Sequence, residues 1–178
     1  MTDEPMVIPN VVSPDYAGVL RESLDAAGYH AFDLAQQGRY SFNDSYTEPE
    51  LIDQLRQMAE RIRGVQFTVE KTRWLRFVRG DYTLLLSDHV SRHPDNHTEL
   101  TLDFSERATN EAEIVYVRGE QSVFIVPQWP GQCAIVDRPP GVLRYERYLT
   151  HKVGDSAVYR LRVTLAAANR AAARSAAT

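Results

Sequence analysis

From Val65 to Leu165 the sequence alternates apolar and polar residues with a period of two, run after run, and no helical stripe separates the runs. The runs are Val65–Glu70, Arg73–Val78, Tyr82–Asp88, Glu99–Phe104, Glu113–Val117, Ser122–Val126, Cys133–Asp137, Val142–Thr150 and Ala157–Leu165, all rich in β-branched and aromatic residues. Turn residues punctuate them at Arg79-Gly80-Asp81, Arg118-Gly119-Glu120, Pro130-Gly131, Pro139-Pro140-Gly141 and Gly154-Asp155. Parallel strands need long crossovers, and none is available here. The strands are therefore expected to pair mostly antiparallel.

Two helices precede this region. Ser13-Pro14 gives an N-cap and a proline at the first helical position, Leu20 and Leu24 lie on one face, and Gly28 stops the helix. The second helix is expected to start at Thr47 with Glu50 completing a capping box, to carry Leu51, Leu55, Met58 and Ile62 as its stripe, and to end at Gly64. Tyr29 to Tyr46 carries no assignable pattern. Helices followed by many strands predict a mainly β, α+β domain: a jelly roll with two helices packed on one sheet. Residues 1–8 read as a flexible leader, 9–166 as one domain and 167–178 as an Ala-rich tail.

The formal net charge of −4 argues against a nucleic-acid partner. Cys133 is the single cysteine, so an intrachain disulfide and a cysteine-built zinc site are excluded. No apolar run is long enough to span a membrane, and the acidic N-terminus lacks a secretory signal. The expectation is a cytoplasmic protein without a membrane partner. Its exposed edge strands would permit a homodimer.

Three of the five histidines fall between Asp88 and His97. His93-Pro94-Asp95 has the His-x-Asp spacing that, with a distant histidine such as His151, could supply a two-histidine, one-carboxylate iron site. A solvated polar loop explains the same segment. On the last hairpin, Arg144, Glu146 and Tyr148 share one strand face, and Arg160, Arg162 and Thr164 share another. Pointing inward they would line a charged pocket; pointing outward they would form a solvated face. The outward arrangement is the expected one, because inward charges cost several kcal/mol unless paired. Cys133 reads as a buried structural thiol.

The order of segments resembles the prolyl-hydroxylase type of 2-oxoglutarate- and Fe(II)-dependent oxygenases, and the ribosomal oxygenases of that branch with their degenerate second domains. The resemblance covers roughly residues 7–166. It rests on Trp74 to Leu85, Leu100-Thr101-Leu102-Asp103-Phe104, Ile114 to Val117, Phe124-Ile125-Val126-Pro127, the Pro130-Gly131 turn, Arg144 to His151 and Tyr159 to Leu165. It implies a double-stranded β-helix, Fe(II) and 2-oxoglutarate as cofactors, and hydroxylation of a small molecule or protein side chain. Arg160, with Arg162 second, would anchor 2-oxoglutarate.

The family's metal register falls on Leu86-Ser87-Asp88, with leucine in the histidine position. Three readings follow. The metal set is displaced to His93, Asp95 and His151, or to His89. Alternatively, Asp88 and Glu146 bind a metal through oxygen donors. In the third, the chain is a degenerate, non-catalytic binding or scaffolding module without iron, able to hold a small acidic molecule through Arg144, Arg160 and Arg162. An unrelated, metal-free β-barrel enzyme using Glu146, Tyr148 or a histidine as general acid or base is a further reading.

Overall fold

The computed structural model describes residues 4–90 and 96–168. Helix α1 (Pro14–Ala27) starts where the Ser13 hydroxyl accepts the Tyr16 amide at 3.2 Å, and ends at Gly28 with φ 82°. Helix α2 (Pro49–Arg63) stops at Gly64 in the left-handed region. The expected Thr47 capping box is not formed: the N-cap is Glu48, without a side-chain cap bond.

The strands are β1 (Met6–Ile8), β2 (His30–Leu34), β3 (Gly38–Asn43), β4 (Phe67–Phe77), β5 (Tyr82–Thr83), β6 (His97–Asp103), β7 (Thr109–Arg118), β8 (Gln121–Gln128), β9 (Cys133–Arg138), β10 (Val142–Glu146) and β11 (Val158–Ala167). They form a large sheet in the order β1-β9-β6-β11-β4-β3-β2, with β5 on β3, and a small sheet in the order β10-β7-β8. Every pairing is antiparallel. This is the expected jelly roll. Among the described residues no helix is long and apolar enough to cross a membrane.

Several boundaries differ from the sequence reading. The supposed leader contributes β1, paired with β9. The unassigned stretch is the hairpin β2–β3, whose Tyr40 stacks on Phe32 and Phe77, with Phe42 tilted against it. Val65–Glu70 and Arg73–Val78 are one continuous strand, because Lys71-Thr72 offers no turn. The run expected at Tyr82–Asp88 breaks after Thr83 and becomes a short helix, α3 (Leu85–Val90). Gly38 is required where β3 meets β5: at φ 135°, a Cβ there would lie 2.5 Å from the Tyr82 carbonyl oxygen.

Alternation along the strands separates two interiors. The outer face of the large sheet presents Trp74, Leu100, Leu102, Phe104, Ile135, Leu161 and Val163 to Leu20 and Leu24 of α1 and Leu51 and Leu55 of α2. This is the main apolar core, and it lies outside the barrel. Cys133 belongs to it, and burial pushes its thiol up to about 12. Between the sheets, Ile114, Tyr116, Val126, Ala134, Val136 and Val142 form a smaller cluster, and the rest of that space is polar.

Candidate functional site

Glu99, Thr101 and Asp103 of β6 alternate with Leu100 and Leu102, so they face the barrel interior. Arg138 of β9, Arg144 and Glu146 of β10, and Arg160 and Arg162 of β11 are buried there as well. Asp88 enters from α3 and is 4% exposed.

These groups form one connected network. Arg138 Nη1 donates to Asp88 at 3.2 Å and to Glu99 at 3.1 Å, and its Nη2 donates to the other Asp88 oxygen. Arg144 Nη2 donates to Asp88 at 2.9 Å, and the Arg144 amide donates to Asp88 Oδ2 at 2.9 Å. Arg144 Nε stands 3.1 Å from Glu99. Arg162 pairs with Glu146, which also accepts the Thr83 hydroxyl at 2.8 Å. Arg160 lies 3.6 Å from Asp103 and 3.9 Å from Glu146. The Tyr116 hydroxyl donates to Glu99 at 2.6 Å.

The expected solvent-facing placement of these polar faces is therefore corrected. The argument from cost holds only for unpaired charges, and here four arginines meet four carboxylates. Tyr148 is the exception. It follows the end of β10 and is 55% exposed.

Burial alone would raise the Glu99 carboxyl, but Arg144, Arg138 and Arg162 overcome it and hold the group well below the ordinary carboxylate range. Glu146 is lowered in the same way, its burial offset by Arg162, Arg144 and Arg160. Asp103 goes the other way: burial raises it despite Arg160. The sign of the pH dependence follows. Depressed Glu99 and Glu146 contribute stability that is fully present above their unfolded value of 4.5 and is lost as pH falls toward their folded values. Raised Asp103 contributes the opposite sign. Urea titrations should give a falling midpoint below about pH 4.5, where the depressed Glu99 and Glu146 outweigh Asp103. A midpoint that rises on acidification below about pH 4.5 would contradict this balance.

Helical geometry turns positions two apart by about 200°. Leu86 accordingly points away from Asp88 and is 40% exposed. The register that resemblance assigns to a metal motif thus presents one carboxylate, and both its oxygens are held by guanidinium groups. This donor set does not fit Fe(II). Among the described residues no group of three or more His, Cys, Asp or Glu side chains could hold a metal ion.

His93 and Asp95 lie outside the described residues, as does the His89 side chain. His151 is exposed in a 3-10 turn (His151–Val153), next to Thr150, whose hydroxyl bonds Glu111. That turn precedes β11, whose first residues pair with the end of β4; His97 pairs with Arg138 at the opposite end of the sheet. Arg162 borders a cavity of about 40 Å³ with Lys71, Arg73, Asp88 and Arg144; Arg160 does not line it and is 2% exposed. Burial lowers Lys71, and the neighbouring Arg73 adds to the effect.

Sequence reasoning missed Glu99, Asp103 and Arg138. Their signal is complementarity of sign: acidic residues alternate along β6, and basic residues alternate on its partner β11.

No family model matches the sequence, and no curated protein matches it. Solved structures do. The viral collagen prolyl hydroxylase of Paramecium bursaria Chlorella virus-1, solved with 2-oxoglutarate, superposes with TM-score 0.66 at 11% identity, over 90% of this chain and 94% of that one. The alpha-ketoglutarate-dependent carbocyclase SnoK from nogalamycin biosynthesis gives 0.66 at 16% identity, covering 90% and 78%. A prolyl-4-hydroxylase from Pseudomonas putida gives 0.60 at 11%, covering 90% and 91%. At such identities the likeness is one of architecture: the chain has the double-stranded β-helix fold of the 2-oxoglutarate- and Fe(II)-dependent oxygenases, prolyl hydroxylases among them.

Proposed function

We propose that this oxygenase-like barrel works by binding a ligand rather than by iron-dependent oxidation. One observation carries the reading: Arg138 and Arg144 occupy both oxygens of Asp88. A metal ligand must offer free lone pairs. Two neighbouring guanidinium groups would also repel a dication in this buried setting. The interior next to them is filled by ion pairs, and its remaining cavity of about 40 Å³ has room for roughly one or two water molecules but not for a five-carbon dicarboxylate. A cytoplasmic location fits the lone buried thiol of Cys133.

The likeness to solved oxygenases favours a second reading, in which Fe(II) and 2-oxoglutarate hydroxylate a substrate. His93, Asp95 and His151 would then hold the metal, and Arg160 or Arg162 the cosubstrate. One experiment separates the two. The metal-stripped protein is melted anaerobically with and without Fe(II) or Mn(II) plus 2-oxoglutarate. Ligands that bind only the folded state raise its apparent stability, by about 2.7 kcal/mol at a hundredfold excess over Kd. The binding reading expects no shift that requires both additions. Such a shift, with release of succinate in air, would overturn it in favour of the oxygenase.

A further inference from the structure

The end of the barrel where β6 begins is also where β9 ends, β11 ends and β4 begins, as the pairs His97–Arg138, Thr98–Leu165 and Phe67–Ala167 require. At this end lies a cavity of about 590 Å³, lined from between the sheets by Tyr116, Phe124, Val136 and Val142 and from the helix side by Phe67. That size falls in the range of small-molecule sites. It is distinct from the small cavity beside Lys71, and the Asp88–Arg138–Arg144 ion pairs stand between the two.

Its walls are apolar where Phe67, Phe124, Val136 and Val142 meet it. The charged part of the lining is three arginines, Arg63, Arg118 and Arg138, against one carboxylate, Asp137. Arg118, at the end of β7, is exposed and has no ion pair among the described residues. Arg138 is 3% exposed, and its Nε hydrogen meets no acceptor among the described residues although both terminal nitrogens are bonded. Asp137 is already engaged by Arg63 at 2.8 Å and by the Thr98 hydroxyl. An apolar chamber with a free cation at its rim and an unmet donor in its wall calls for an apolar body carrying one negative charge.

We propose that this chamber binds an amphipathic monocarboxylate, such as a medium-chain or aryl-alkanoic acid, with its tail between the sheets and its carboxylate on Arg118. The proposal rests on the binding reading above and supplies its ligand class. Bidentate pairing suits a guanidinium and a carboxylate, and desolvation of the tail drives entry. A dicarboxylate would place a second charge against Phe67 and Phe124 at a desolvation cost.

The test is calorimetric titration of the metal-free full chain with decanoate, well below its micellar concentration. Decanol and acetate serve as the uncharged and tail-less comparisons. Saturable one-to-one binding of decanoate is expected, with decanol and acetate each weaker by about tenfold or more. Arg118→Glu and Val123→Asp alter exposed positions, 50% exposed at Val123, so both should fold. Each should weaken decanoate about tenfold. Absence of saturable binding overturns the proposal. So does equal binding of decanol, or unchanged affinity in Arg118→Glu, since either would leave only a sticky apolar patch. Succinate release dependent on 2-oxoglutarate would instead defeat the binding reading, whatever the decanoate result.

Discussion

Glu99→Leu should lower the stability of the protein by about 3–5 kcal/mol, because it removes the carboxylate shared by Arg138, Arg144 and Arg162 and leaves their charges buried. The Tyr116 hydroxyl loses its acceptor in the same step. Urea denaturation followed by circular dichroism measures the change, and the slope with denaturant should stay constant if only stability moves. The partner arginines decide the size of the effect. Coordinated replacement of a buried ion-pair cluster by well-packed apolar residues is often neutral or stabilising. A single replacement is not. A loss below about 1 kcal/mol, the range of exposed pairs, would mean that water reaches the network and screens it.

Trp74→Ala should be comparably severe, at about 3–5 kcal/mol. Trp74 is fully buried on the outer face of the large sheet, edge-on to Tyr46 at 5.1 Å and to Phe104 at 5.7 Å. Its indole nitrogen donates to the Tyr46 carbonyl at 3.0 Å. Truncation opens a cavity under the helices and orphans that carbonyl. Thermal denaturation should show a large drop in Tm, and Trp74→Phe should recover most of the packing but not the hydrogen bond. A drop no larger than a surface substitution gives would show that the helices and sheet can close over the gap.

The sequence made the architecture legible where local chemistry is self-sufficient. Ser13 with Pro14 at one helix start and glycines at two helix ends mark α1 and α2, and period-two runs mark most strands. Elements that depend on distant partners were hidden. Strand β1 is three residues long and exists because β9 offers an edge. Helix α3 interrupts a run whose composition suits a strand, and its Asp88 is fixed by arginines that lie 50 and 56 residues further along the chain. Alternation correctly grouped Arg160 with Arg162 and Arg144 with Glu146, but alternation cannot say which face is inside. That answer lies in the opposite signs carried by neighbouring strands, because a buried charge is tolerable when its partner is already in place. The expected metal ligands His93 and Asp95 lie outside the described residues, and of that set only His151 is placed, exposed in the turn before β11.

The position of the main apolar core, between the helices and the outer face of the large sheet, bears on how such a chain diverges. Neighbouring side chains on a strand point to opposite faces, so one face can be rewritten while the other keeps its packing. Drift inside the barrel is then constrained chiefly by electroneutrality, and drift outside it by volume. The salt-bridge lattice of the interior therefore sits in a shell that does not depend on it for its packing. In such a scaffold shape is held by one face of the sheet, and the contents of the barrel are free to be written by the other.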